Sequence, residues 1–145
     1  MAGFGFSSAQ FDIYLEQTAL IRQETLTTDA LPCGGVINSF LLEVLGKVNG
    51  GGANTHSVDC FKIVGGVPIA ILAGGAFNFS GASDVNPTMI PMAVDLGASG
   101  QGNFAVGDEF RIVINGDVTD TSKVRVHFLC STLADNQTNT VVTSS

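Results

Sequence analysis

Charge is scarce in this sequence. Lys and Arg number 6 and Asp and Glu 13 among 145 residues, so 13% of residues are charged, against about 25% in an average soluble domain. The formal net charge is −7, and the six basic residues form no run. Because phosphate contacts need clustered Lys and Arg, we expect no nucleic-acid partner. A surface with so few charges is typical of a chain that lies against other protein.

Cysteine, histidine, tryptophan and tyrosine are also few. The three cysteines are widely spaced and form no Cys-x-x-Cys pair, which predicts buried thiols made in a reducing cytoplasm rather than a disulfide framework. The chain has no Trp and one Tyr, a poor supply of aromatic platforms for a glycan pocket. Its two histidines cannot supply the His-rich triad of a jelly-roll metal oxygenase.

Targeting and membrane segments are not expected. No basic residue precedes Arg22, and Asp12 comes early, so the start of the chain does not read as a signal peptide. Between Lys62 and Asp84 the chain carries no charge over a length that could span a bilayer. Two Gly-Gly pairs and Pro68 divide this stretch, which predicts two buried strands and no membrane partner.

The glycine-rich stretch LGKVNGGGANTH raises the question of a phosphate-binding loop. A nucleotide-binding loop places its glycines before the Gly-Lys step, whereas here they follow Gly46 and Lys47. A dinucleotide fingerprint starting at Gly50 would need its last glycine at Thr55, and a strand pattern follows instead of a helix. The stretch therefore predicts a loop between two strands, and no cofactor.

Metal-ligating residues occur only in incomplete sets. His56 and Cys60 share one face of a strand, but two ligands do not make a zinc site. Asp117 and Asp120, with Asn115, could offer oxygen ligands to calcium, although their spacing is not that of an EF-hand and also suits an ordinary turn. We predict no metal site and leave the calcium alternative open.

No catalytic residues are predicted either. A Gly-x-Ser-x-Gly elbow is missing, and Ser80 and Ser83 lie in a glycine-rich segment without a nearby histidine. His127 falls on the outward face of its strand, where a solvated histidine is the default reading. The neighbouring carboxylates of Asp108 and Glu109 would face opposite ways in a strand, which disfavours an acid–base pair. We expect a protein that is not an enzyme.

Short strands dominate the pattern and predict an all-β, antiparallel β-sandwich of jelly-roll type. Gly65-Gly66 predicts a two-residue hairpin, and residues 80–102 look loop-rich. Residues 110–114 and 123–130 both alternate apolar and polar side chains, which predicts an antiparallel hairpin with one wet face. We expect one domain over residues 11–130, an extended arm over 1–10 and a polar tail over 131–145.

The first 24 residues leave two alternatives open. Residues 11–24 place Phe11, Tyr14 and Thr18 at helical spacing but lack a clean polar face, so a short helix and an early strand both fit. Phe4 and Phe6 would each gain roughly 1.5–3 kcal/mol on burial, either against the chain itself or as a clasp onto a neighbour. We take Phe4, Phe6, Phe11 and Tyr14 as the candidate protein-contact residues.

The order of segments resembles that of a virion family. A turn (LPCGGVI), a long strand with a glycine-rich loop, a mid-chain β segment and the closing FAVGDEFRIVINGDVTDTSKVRVHF resemble capsid decoration (cement) proteins of tailed bacteriophages, across residues 31–130. The resemblance implies a jelly-roll or related sandwich on the outside of a capsid. It also implies contact with the major capsid protein and with itself, as a homotrimer or other homo-oligomer, after synthesis in the host cytoplasm. The alternative is a receptor- or glycan-binding tip module of a head or tail fibre.

Overall fold

The computed structural model describes residues 10–50, 55–80, 88–95, 102–117 and 119–132. Within them the chain forms ten strands and no helix, so none of the described segments is a helix that could cross a membrane. The strands are β1 (Gln10–Glu16), β2 (Gln23–Thr27), β3 (Gly35–Val48), β4 (His56–Val64), β5 (Val67–Ala70), β6 (Phe77–Asn78), β7 (Thr88–Met92), β8 (Asn103–Phe104), β9 (Glu109–Gly116) and β10 (Thr121–Ser131).

Two antiparallel sheets face each other. Sheet A has the order β1-β10-β3-β7, with the short β8 pairing the start of β3. Sheet B has the order β2-β9-β4-β5, with β6 on β4. The connections β1 to β2, β3 to β4 and β9 to β10 each pass from one sheet to the other, so the chain wraps around the core in a jelly-roll-like order. The expected all-β antiparallel sandwich is confirmed.

Aromatic rings from both sheets fill the space between them. Phe110 of sheet B stacks on Phe128 of sheet A, with ring centroids 4.4 Å apart and an angle of 4° between the ring planes. Phe40 meets Phe128 edge-on at 5.1 Å, and Phe104 meets Phe110 edge-on at the same distance. Period-two alternation places these rings on the inner faces of β3, β9 and β10, so the core follows directly from the sequence pattern.

The predicted hairpin of residues 110–130 is wrong. The two strands alternate as expected, but β9 pairs with β2 and β4, whereas β10 pairs with β1 and β3. Each strand has one apolar face, and these faces pack against each other across the core instead of lying side by side in one sheet. The turn after Gly116 therefore crosses from one layer to the other.

Within residues 11–24, residues 11–16 belong to β1 and residues 23–24 to β2, and no helix forms. In β1 the side chains of Phe11, Ile13 and Leu15 face the core, while the residues between them face outward. The period of two thus prevails over the helical spacing of Phe11 and Tyr14, because β10 offers a full antiparallel partner. β1 begins at Gln10, which pairs with Ser131 at the end of β10.

The Gly65-Gly66 hairpin is confirmed. It joins β4 to β5, and both glycines have positive φ, at 57° and 84°. Two successive residues with positive φ define the turn that matches the natural twist of a two-strand ribbon. Pro68 lies in β5, an edge strand, where its missing N–H costs least.

The region between residues 80 and 102 contains a strand that the sequence pattern did not show. β7 covers Thr88–Met92 and pairs with β3, with Pro91 opposite Leu41. Proline is a poor strand former, which made this segment look like a loop. It is tolerated because β7 forms the outer edge of sheet A.

Candidate interaction surface

The outward face of sheet A brings together five ionisable side chains from three adjacent strands. Asp12 and Glu16 come from β1, Arg125 and His127 from β10, and Glu43 from β3. The strand register aligns them, because Glu16, Arg125 and Glu43 lie opposite one another in a row across the sheet. We call this set, together with Tyr14, the sheet A network.

Arg125 lies at the centre of the network. Its Nε and Nη2 atoms both donate to Glu16 Oε1, each at 3.0 Å. Its Nη1 atom donates to Glu43 Oε1 at 2.9 Å. The guanidinium thus uses its planar fork to connect an edge strand with a central strand, a geometry that lysine cannot provide.

His127 forms the second connection between the same strands. Its Nδ1 lies 2.7 Å from Asp12 Oδ2, and its Nε2 lies 3.1 Å from Glu43 Oε1. Both ring nitrogens therefore face a carboxylate oxygen, and only the imidazolium form can donate to both. The expectation of a solvated histidine is wrong: 13% of this side chain is exposed, because its neighbours cover it.

Proximity shifts the proton affinities of the central groups. The hydrogen bond from His127 and the charge of Arg125 lower the pKa of Glu43, and partial burial opposes this effect without reversing it. The hydrogen bond to Glu16, reinforced by Glu43, raises the pKa of Arg125. Glu43 and Arg125 therefore both remain charged at neutral pH.

Tyr14 projects outward from the network. Its ring is tilted against the His127 ring at 5.9 Å, and the guanidinium carbon of Arg125 lies 5.5 Å from the ring centroid. Even so, 55% of the residue is exposed. A large aromatic ring thus projects beside an arginine whose charge is already paired.

The four predicted contact residues do not lie together on one described surface. Tyr14 lies on the outward face of sheet A, whereas Phe11 faces the core and meets Phe104 edge-on at 6.4 Å. Phe4 and Phe6 lie outside the described residues. Pattern analysis placed Arg125 and His127 on an outward face, but it missed Glu43. Glu43 is the single acidic residue within the apolar run VINSFLLEVL, and this isolation could have indicated a charge on the outward face of the strand.

A second polar cluster closes the opposite end of the sandwich from the chain ends. The carboxylate of Asp120, fully buried, accepts the backbone N–H of Gly50 at Oδ1 and that of Thr55 at Oδ2, both at 2.8 Å. Thr119 Oγ1 donates to the carbonyl of Gly50 at 2.7 Å. The turn at residues 117–120 thus holds both described ends of the glycine-rich loop.

His56 lies buried beside this turn. Its Nε2 is 2.8 Å from Asn49 Oδ1, and its Nδ1 has no hydrogen-bond partner. Burial lowers the pKa of His56, the charge of Lys47 lowers it further, and Asp120 opposes both. Lys47 itself donates to the carbonyl of Ser80 at 2.7 Å. These contacts hold the described ends of the loop in place.

The residues considered for metal binding do not gather in the described parts of the chain, where no group of three or more His, Cys, Asp or Glu side chains could hold an ion. His56 bonds to Asn49, and Asn115 accepts from Gln23 Nε2. Both Asp120 oxygens accept backbone N–H groups.

Burial also makes the thiols unreactive. It raises the pKa of Cys130 to about 12, and it raises the pKa of Cys60 further. Because the thiolate is the nucleophile and the metal ligand, neither group is prepared for chemistry at neutral pH.

No protein-family model matches this chain, and no curated protein matches it.

Proposed function

We propose that the chain is a non-enzymatic structural protein of a virion, of the capsid-decoration type, which binds coat subunits on the outer surface of a phage head. The observation that carries the proposal is the outward face of sheet A, where Tyr14 projects from a network of paired charges. Such a face suits contact with another protein better than catalysis.

The energetics of docking favour this face. Burying a lone charge at an interface is costly, whereas Arg125 and Glu43 already bond to each other and would enter a contact as a pair. Tyr and Arg are the residues most often found at the energetic centre of interfaces. Tyr14 supplies a large ring with few rotatable bonds, so little conformational entropy is lost on binding.

The fold and the charge balance support the same proposal. Jelly-roll sandwiches are the architecture of many viral capsid domains and lectins. The acidic balance of the chain suits a position outside the shell, away from packaged DNA. We place the protein on the capsid exterior after synthesis in the host cytoplasm.

The position of the domain ends adds a second contact. Gln10 pairs with Ser131, so the start of β1 lies beside the end of β10. A groove of about 420 Å³ lies beside this point, lined by residues that include Phe11, Asn38 and Leu129. Phe4 and Phe6 precede β1 by a few residues in sequence, and we propose that they contact a neighbouring coat subunit.

A co-sedimentation experiment tests the proposal. Particles assembled from the coat protein encoded in the same genome are mixed with the purified chain, and both binding and the melting temperature of the particles are measured. We expect binding that raises the particle melting temperature. Tyr14→Ala should weaken binding about tenfold or more, as expected for the loss of a central interface tyrosine.

Val67→Ala is the matched control, because Val67 is exposed to a similar extent, at 60%, but lies on sheet B. Equal losses for Tyr14→Ala and Val67→Ala, or no binding by the wild-type chain, would refute the proposal. Binding to a glycan array without binding to particles would favour the fibre-tip alternative. Deletion of residues 1–9 should reduce attachment without unfolding the domain, since β1 starts at Gln10.

A further inference from the structure

β1 is an edge strand whose second edge pairs with no strand in the described parts of the chain. Among the strands that end the two sheet orders it is the longest, at seven residues, against five in β2, four in β5 and five in β7. β5 and β7 each contain a proline, whereas β1 contains neither proline nor lysine. Proline and lysine are the residues that usually block edge-to-edge pairing, so β1 lacks this protection.

The side chains of β1 also look incompletely covered. Phe11, Ile13 and Leu15 face the core but remain only partly buried. Their partners on β10 in the same register, Cys130, Phe128 and Val126, are 2%, 0% and 0% exposed. A further strand beside β1 would bury these three apolar side chains to the level of the adjacent strand.

One hydrogen bond shows which residues of β1 direct their backbone N–H and C=O groups towards β10. The N–H of Gln17 donates to the carbonyl of Val124 in β10, at 2.9 Å. In an antiparallel pair, alternate residues direct their N–H and C=O groups to the same side. Leu15, Ile13 and Phe11 therefore face β10, and the backbone groups of Asp12, Tyr14 and Glu16 point to the open edge.

We propose that β1 pairs antiparallel with β1 of a second copy about a two-fold axis at Ile13, so that sheet A continues from one copy into the other. In this register Asp12 lies opposite Tyr14 of the other copy and Gln10 lies opposite Glu16. Ile13 meets its own equivalent, and Phe11 meets Leu15. Every opposed pair is either apolar or a neutral side chain against an acid.

Charge selects this register over its neighbours. A two-fold axis at Asp12 opposes that carboxylate to its own equivalent, and an axis at Tyr14 opposes Asp12 to Glu16, so both are disfavoured by like-charge contact. An axis at Leu15 avoids this contact but shifts the pairing beyond the end of the strand. Only the axis at Ile13 pairs all of Gln10–Glu16 with itself. The bonds of Asp12 to His127 and of Glu16 to Arg125 also draw both carboxylates back towards β10.

The solution mass of the full chain tests the pairing. We expect light scattering after size exclusion to give twice the 15.0 kDa of one chain. Tyr14→Pro should reduce the mass to that of one chain while the domain stays folded, because it removes an N–H that points to the open edge and that no described strand accepts. Tyr14→Thr is the matched control, since it removes the ring, keeps the N–H and should remain a dimer.

A cysteine at the axis tests the register. Ile13→Cys, made together with Cys33→Ser, should form a disulfide between two copies under mild oxidation, because opposed non-hydrogen-bonded residues have Cα atoms about 4.5 Å apart. Leu15→Cys in the same background should crosslink at least tenfold more slowly, since its opposite residue is Phe11.

Three outcomes would overturn the inference. They are a single-chain mass for the wild type, an unchanged oligomer in Tyr14→Pro, and equal crosslinking of Ile13→Cys and Leu15→Cys. A monomeric wild type that binds particles, and that loses more binding in Tyr14→Pro than in Tyr14→Ala, would assign the edge to a coat-protein strand instead. The pairing does not rest on the proposed function: a dimer that ignores particles refutes decoration alone, and a monomer that binds particles refutes the pairing alone.

Discussion

The substitution Asp120→Ala tests how the β3–β4 loop is held. Asp120 is fully buried, and its two oxygens accept the N–H groups of Gly50 and Thr55 at 2.8 Å. Alanine leaves both donors without this acceptor and opens space beneath the loop. We expect the sandwich to fold with reduced stability.

The magnitude follows from the two hydrogen bonds. Hydrogen bonds to a charged group contribute about 1.5–3 kcal/mol each. Gly50 is exposed, so water can replace part of its bond, whereas Thr55 is less accessible. The lower half of the range for each bond gives a destabilisation of about 3 kcal/mol. Asp120→Asn keeps one acceptor oxygen and should cost roughly half as much.

Urea unfolding followed by circular dichroism measures the effect. With a slope of about 1–3 kcal/mol per molar urea, a loss of 3 kcal/mol lowers the midpoint by roughly 1–3 M. Amide hydrogen exchange should also speed up at Thr55. The control is Asp29→Asn, which removes a charge from an exposed loop residue and should change stability by less than about 0.5 kcal/mol. A change below 1 kcal/mol in Asp120→Ala, with an unchanged slope, would refute the reasoning.

Two further predictions concern the sheet A network and the β4–β5 turn. Glu43 has a lowered pKa in the folded state, so its contribution to stability is present above its ordinary value of 4.5 and is lost as the pH falls through the folded value. Glu43→Gln should therefore lower the free energy of unfolding by about 1 kcal/mol or less at pH 7. The stability of the variant should converge with that of the wild type in acid. A difference in urea midpoint that does not depend on pH would contradict this. Gly66→Val should cost about 1–2 kcal/mol because φ is +84° there, whereas Gly65→Asn should be tolerated; equal melting temperatures for the two variants would contradict the turn assignment.

Side-chain alternation predicted most of the fold. The inner faces of β9 and β10 are those that a period of two assigns, and Phe110 and Phe128 lie where the pattern placed them. Pairing was less predictable. Two consecutive strands with one apolar face each can form a hairpin or pack face to face, and both arrangements satisfy the same alternation. Only the contacts of each strand with distant partners, β3 for one and β4 for the other, separate the two arrangements.

The candidate surface could likewise be predicted only in part, because strand pairing does not follow from alternation. The alternation in KVRVHFLC placed Arg125 and His127 on one outward face, but it could not show what lay opposite them. Glu43 is 82 residues from Arg125 in sequence, and only the β3–β10 register brings them together. Tyr14 was selected as an apolar contact residue on its own. Its position next to Arg125 depends on the β1–β10 register, which the sequence of either strand leaves undetermined.

The distribution of charge connects the two proposals. Among the described residues, the ion pairs that involve Arg or Lys all belong to Arg125. Lys47 and Lys62 donate instead to backbone carbonyls. A chain with so few charges thus places its ion pairs on three neighbouring strands, where they fix β1 to β10 and β3.

Fixing β1 in register matters because both proposed contacts use this strand, one through the Tyr14 ring and the other through the Tyr14 backbone. Substitution of Arg125 would loosen β1 and affect both contacts together. Variants at Tyr14 leave the ion pairs of Glu16 and Glu43 intact. Tyr14→Ala removes the ring alone, whereas Tyr14→Pro removes both the ring and the N–H, so the difference between the two variants separates the contact of the sheet face from the pairing of the sheet edge.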